Sequence, residues 1–293
     1  MKINIIKHSK VSLAISAGIM LLGLIVAIIC GGLNLGVDFT GGSLVTLSFE
    51  EEYKTEDIEA VLKSNNAGEV SIVKSEDNQA IIRIESKSEE ELIKLNDSLV
   101  EGLRADKGYK NAKLVGVDTV GATASRDLII NALLSVSLAC VLILIYVWIR
   151  FELFAGISAV LALIHDVLIM LAFVAIFRIP VNSTFIAAVL TIVGYSINST
   201  ILVFDRLREN RKLYRNSMKD ADLINKSVGD TFWRSVNTSL TTLIEVVALF
   251  IFGVDSIREF TLPILVGLLA GAFSSIVLSG QWWYYMKNKI ANK

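Results

Sequence analysis

One apolar stretch at residues 11–31 is followed by roughly ninety mostly polar residues, and five further apolar stretches then crowd into residues 127–284. A bilayer's hydrocarbon core, about 30 Å thick, is crossed by a helix of about 20 apolar residues. Each of the six stretches approaches or exceeds that length. The pattern therefore predicts six transmembrane helices with one extramembrane domain inserted between the first and the second. The chain is 53% hydrophobic and 19% charged and holds only two prolines in 293 residues, as suits long apolar helices. A net charge of −1 gives no basis for nucleic-acid binding. Cys30 and Cys140 both lie in apolar stretches, so no disulfide framework, metal site or cofactor is expected. The first stretch is too long for a typical signal-peptide core, and no A-x-A-like cleavage site follows it, so it is expected to remain as an anchor.

The helices are placed at 11–31, 127–149, 154–177, 182–204, 235–253 and 260–284. Basic residues then set the orientation, because cytoplasmic flanks carry the excess of Lys and Arg. Lys2, Lys7 and Lys10 precede the first helix, and Arg150 lies between the second and third. Arg206, Arg208, Arg211, Lys212, Arg215, Lys219 and Lys226 lie between the fourth and fifth, and Lys287, Lys289 and Lys293 follow the sixth. The opposite turns carry only Arg178 and Arg258. Both termini are thus expected in the cytoplasm. The expected organisation is a cytoplasmic N-terminus and first helix (1–34), an outward domain (35–125), and a membrane domain (126–293) with a cytoplasmic loop at 205–234.

Within the outward domain, Ser43–Phe49 alternates as a strand and Thr55–Asn65 reads as a helix with Thr55 as its N-cap. Short strands at Val70–Val73 and Ala80–Ile84 bracket a turn at Asp77-Asn78. Ser88–Arg104 is amphipathic, with Leu92, Leu95, Leu99 and Leu103 inward and Ser88 with Glu91 in a capping-box pattern. Lys113–Val117 closes the series as a strand. The order βαββαβ predicts a ferredoxin-like α+β domain. It holds no catalytic constellation, so a docking or substrate-handling module is expected.

Ionisable groups inside a membrane are costly and mark functional candidates. His165 and Asp166 lie near the middle of the third helix, Glu245 at similar depth in the fifth, and Arg234 at that helix's cytoplasmic entry. Tyr195, Ser196, Asn198, Ser199 and Thr200 on the fourth helix, with Asn237, Thr238, Ser239, Thr241 and Thr242 on the fifth, suggest a polar seam across helices three to five. The alternative is interhelical glue, which Ser, Thr and Asn commonly supply. Gly267, Gly271, Ala272, Ser274 and Ser275 read as close-packing positions in the sixth helix.

Six phrases in register resemble the SecD/SecF translocation family. They are Gly36-Val37-Asp38-Phe39-Thr40-Gly41-Gly42; Val120-Gly121 with Arg126-Asp127-Leu128; Arg150-Phe151-Glu152 with Leu163-Ile164-His165-Asp166; Gly194-Tyr195-Ser196-Ile197-Asn198 with Phe204-Asp205-Arg206; Arg234-Ser235-Val236-Asn237-Thr238; and Gly271-Ala272-Phe273-Ser274-Ser275. The Phe-Thr of the first phrase is similar to the SecF rather than the SecD branch. The resemblance implies half of an RND-type transporter, working with SecD beside the SecYEG channel and the SecA ATPase in a bacterial cytoplasmic membrane. The pair would use an ion gradient to draw secreted preproteins outward. The family pattern carries an aspartate after the asparagine of the fourth helix, a candidate ion carrier, but this chain has Ser199 there. Either SecD supplies the working acid, or Glu245 or Asp166 replaces it, with Glu245 favoured because it shares a helix with Arg234. Loss of the acid would also be compatible with Na⁺ in place of H⁺, since hydroxyl and amide oxygens ligate hard cations. The rival reading is an RND-like small-molecule or lipid exporter half. An intramembrane enzyme built on His165 and Asp166 lacks a nucleophile constellation.

Overall fold

The computed structural model describes residues 4–65, 67, 70–75, 78–84, 89–105, 107–214 and 217–290. Asp77, Ser88, Lys2, Arg215 and Lys293, used above, lie outside them, as does the side chain of Leu92. The chain forms two compact units, residues 1–34 with 133–293 and residues 35–132.

The first membrane helix is α1 (Ser9–Ile29). The smaller unit then begins with a single helical turn, α2 (Val37–Thr40), and continues through β1 (Gly42–Ser48), α3 (Thr55–Ser64), β2 (Val70–Ser75), β3 (Gln79–Ile84), α4 (Glu89–Ala105) and β4 (Lys113–Val120). Gly41 and Gly42 take φ values of 73° and 121°, a left-handed path open to glycine, and so turn the chain from α2 into β1. The sheet order is β2-β3-β1-β4, with every neighbouring pair antiparallel. Period-two alternation puts Val45 and Leu47 of β1 on the same buried face as Ala80, Ile82 and Ile84 of β3. Ile58, Val61 and Leu62 of α3 and Leu95, Leu99 and Leu103 of α4 complete that core. Thr55 is not the N-cap: Lys54 holds that position, without a side-chain cap, and Thr55 opens the helix. Tyr109 instead ties the start of α3 down, donating to Asp57 at 2.8 Å and accepting from the Lys54 amide at 3.2 Å. Its hydroxyl and Lys107 hold the Asp57 carboxyl below the usual range.

The other spans are α5 (Ala122–Arg150), α6 (Leu153–Ile176), α7 (Ser183–Tyr214) and α8 (Asp220–Phe252); the last is α9 (Asp255–Phe273) continued by a π-helical turn at Ser274–Leu278 and by α10 (Ser279–Ile290). Among the described residues, six helices are long and apolar enough to cross a membrane. The expected loop at 205–234 is a correction: α7 runs on to Tyr214 and α8 starts at Asp220. No proline breaks either extension, and Gly229 is carried within α8. Charges at helical spacing brace them, Arg206 with Glu209 and Lys226 with Asp230. Arg206 also reaches Asp230 at 2.8 Å, and Asn210 donates to the Ser227 hydroxyl at 3.0 Å, zipping the two helices together. Close approach elsewhere depends on glycine. A β-carbon at Gly23 would sit 2.5 Å from Ala172 of α6, and one at Gly267 would sit 2.5 Å from Ile192 of α7. Outward faces of α1 and α5 are apolar and exposed (Ile15, Leu22, Leu133, Leu142), as surfaces in contact with lipid must be.

Candidate functional site

Asp166 lies at the centre of a closed polar cluster. It and its neighbour His165 are 1% and 4% exposed. Asp166 Oδ1 lies 2.9 Å from His165 Nδ1. Its Oδ2 accepts from two hydroxyls, Ser196 on α7 at 2.5 Å and Ser274 in the π-helical turn at 2.9 Å. His165 Nε2 lies 2.9 Å from the Ser16 hydroxyl of α1. With Nδ1–H donating to the carboxylate, Nε2 is left to accept from Ser16, and every polar atom in the cluster finds a partner. Ser274 stands at the first position of the π-helical turn, and wide turns of this kind gather at functional sites. Gly271 permits the approach: a β-carbon there would sit 3.2 Å from Ser196 Cβ and 3.5 Å from Asp166 Oδ2.

Of the expected seam, the Asp166–Ser196 bond joins the third and fourth helices, and the correction concerns the fifth, which brings no partner to Asp166 among the described residues. Asp166 is bonded by His165, by α7 and by the last span, and α1 reaches the cluster through His165. Helix burial explains the difference. α1 is exposed over most of its surface, and the buried residues it offers are Ser9, Ser12, Ser16 and Gly23. Its three serines make interhelical bonds, to Tyr285 (2.6 Å), Gln281 (2.9 Å) and His165 (2.9 Å).

A second polar region lies on α8. Arg234, Asn237, Thr238, Thr241 and Glu245 are all exposed. At about 100° per residue they fall on one face. The threonine hydroxyls turn back onto backbone carbonyls, Thr238 to Arg234 and Thr241 to Thr238. Among the described residues, no hydrogen bond or ion pair reaches the side chain of Arg234, Asn237 or Glu245. On α7, Thr191, Gly194 and Asn198 form a matching exposed stripe of small and polar residues. Ser199 is 5% exposed, with no carboxylate at its position to carry charge. Tyr195 is half-buried; its hydroxyl, like those of Thr200, Ser235 and Ser239, is buried without a partner among the described residues.

The candidates thus divide. His165 and Asp166 are brought together and closed in; Arg234, Asn198 and Glu245 are left open on exposed faces, with Tyr195 and Ser199 on the same helix as Asn198. Gly36, Asp38, Phe39, Gly41 and Gly42 form the entry to β1, and all but Asp38 and Phe39 are buried. Sequence reasoning missed Ser16 and Gln281. The i, i+3, i+7 spacing of Ser9, Ser12 and Ser16 on an otherwise apolar helix was the signal available. Among the described residues, no group of three or more His, Cys, Asp or Glu side chains is arranged to hold a metal.

Known proteins match the chain over nearly its whole length. The family model described as "Protein export membrane protein SecD/SecF, C-terminal" covers residues 102–289, and the "SecD/SecF GG Motif" covers residues 31–52. A protein translocase subunit SecF of Sebaldella termitidis is 39% identical over 98% of this chain and 92% of its own length. SecDF of Bacillus subtilis is 37% identical over 95% of this chain, which spans 37% of that longer protein. The crystal structure of SecDF from Thermus thermophilus, a translocon-associated membrane protein, superposes with a TM-score of 0.84 at 33% identity, over 99% of this chain and 39% of that one. The signature that opens β1, the helical framework and the extent of these matches agree: the chain belongs to the SecD/SecF protein-export family.

Proposed function

We propose that the chain is a SecF-type accessory subunit of the Sec protein translocase, acting with a SecD-type partner to turn an ion gradient into late steps of protein secretion. One observation carries the partnered reading: Arg234, Asn237 and Glu245 stand open on a membrane-spanning helix. A charged side chain at a helix centre costs roughly 3 kcal/mol on insertion scales. A second membrane protein that covers the stripe removes that cost. The chain's match to about two-fifths of the longer SecDF chains is in keeping with such a partner. The ion-coupling site is then composite. Arg234 and Glu245 come from this chain and face the partner, and Asn198 flanks them from α7. Asp166, with its oxygens already engaged, anchors the bundle behind that site.

The finer assignments rest on sequence and topology. The βαββαβ unit, with its order β2-β3-β1-β4, fits the ferredoxin-like arrangement. Lys7, Lys10, Arg150, Arg206, Arg208, Lys219, Lys226 and Lys287 all fall on the side assigned to the cytoplasm, against Arg178 and Arg258 opposite. This distribution supports both termini inside and the unit near residues 35–125 outside a bacterial cytoplasmic membrane. SecYEG, SecA and preproteins in transit are the further partners this role requires.

The test is gradient-driven preprotein export in inverted vesicles that hold this chain and its SecD-type partner, under a proton gradient and under a sodium gradient. Glu245→Gln is expected to abolish the gradient's stimulation, while Asp166→Asn is judged only after its folded yield is matched to wild type. Full stimulation with Glu245→Gln would assign the working acid to the partner and remove Glu245 from the mechanism.

A further inference from the structure

An apolar groove of about 380 Å³ opens between α1, α6 and α9, lined by Ile15, Ile19, Ile169, Phe173, Leu269 and Ala270, with Ser16 and His165 at its floor. Its residues lie well inside three membrane spans, so hydrocarbon surrounds its mouth. The rim is apolar and open: Ile15, Ile19 and Leu269 are 55%, 40% and 60% exposed. Among the described residues, the polar side chains in the floor are bonded to each other, Ser16 Oγ to His165 Nε2 at 2.9 Å. An occupant therefore meets neither donor nor acceptor in need of a partner, which selects an apolar one. A protein helix is the poorer fit. The polar stripe that calls for a protein partner lies on α8, and α8 contributes nothing to the groove.

We infer that this groove is a binding site for one phospholipid acyl chain, seated over the Ser16–His165 hydrogen bond. A methylene chain there keeps water from the floor and preserves the dry surroundings of the His165–Asp166 pair. The inference stands independently of where the ion-coupling site lies.

Native mass spectrometry of the full chain, purified from phospholipid membranes and washed in detergent, tests it. Wild type is expected to retain one phospholipid. Ile19→Trp at the rim and Ala270→Leu in the wall fill the groove and should each lose it, whereas Leu133→Trp, on the lipid-exposed face of α5, should retain it. Melting curves in the same detergent establish that each variant is folded, and either filling variant suffices. The measurement is repeated on the complex with the SecD-type partner, where the lipid should persist. No retained lipid in wild type, equal retention in folded filling variants, or displacement by the partner would each overturn the proposal; displacement would assign the groove to a protein helix.

Discussion

The Asp166 cluster and the Arg234–Glu245 stripe draw on similar chemistry inside membrane helices, yet one is closed within the chain and the other is open. Asp166 receives hydrogen bonds from α7 and the π-helical turn, and its histidine neighbour reaches α1. Arg234 and Glu245 have no such company among the described residues. A polar group that finds its partners within one chain serves that chain's fold. A polar group left open in a membrane implies a partner that is yet to dock. The contrast separates what this subunit does for itself from what it does only in an assembly.

Breaking the closed cluster should have the largest effect. Asp166→Ala strands two serine hydroxyls and a histidine in a dry interior, a class of change that costs about 3–5 kcal/mol. The expected outcome is a large fall in the melting temperature and folded yield of the detergent-solubilised chain; an unchanged melt would mean that the cluster is not closed. Gly271→Ala comes next, pushing a methyl group against Ser196 and Asp166. Overpacking of this kind costs about 1–3 kcal/mol, read in the same melt, and an effect no larger than that of an exposed alanine substitution would show slack in the cluster. Ser16→Ala removes one interhelical hydrogen bond, worth about 0.6 kcal/mol in membrane proteins, and should shift the imidazole ¹⁵N resonances of His165 while moving the melt little. The smallest effect on the isolated chain belongs to the stripe. Glu245→Gln should change its stability by no more than about 0.5 kcal/mol, and a large loss would place Glu245 inside the fold.

The number of spans was legible because hydrophobic length is a property of one segment at a time. The alternation of Val45 and Leu47 and the leucine spacing of α4 were legible for the same reason. Extension of α7 and α8 beyond the expected spans was not, because charge had marked 205–234 as loop although no proline interrupts either extension. His165, Asp166, Arg234 and Glu245 stood out individually, since ionisable residues in apolar stretches are rare. Which of them meet could not be read, because that depends on which helices pack. Asp166 meets Ser274 at the start of the π-helical turn, and no local pattern in Ser274–Leu278 announces that turn. Ser16 was hidden differently: in an exposed α1 a serine matters only for the face it shares with Ser9 and Ser12.

The central claim, that the α8 stripe is covered by a partner, is tested most directly by photocrosslinking in intact membranes. A benzophenone side chain at Asn237 or Glu245 is predicted to crosslink to the SecD-type chain, while the same group at Leu133 or Leu142 of α5 should label lipid. Crosslinks from 237 and 245 to lipid alone, in membranes that contain the partner, would contradict the account.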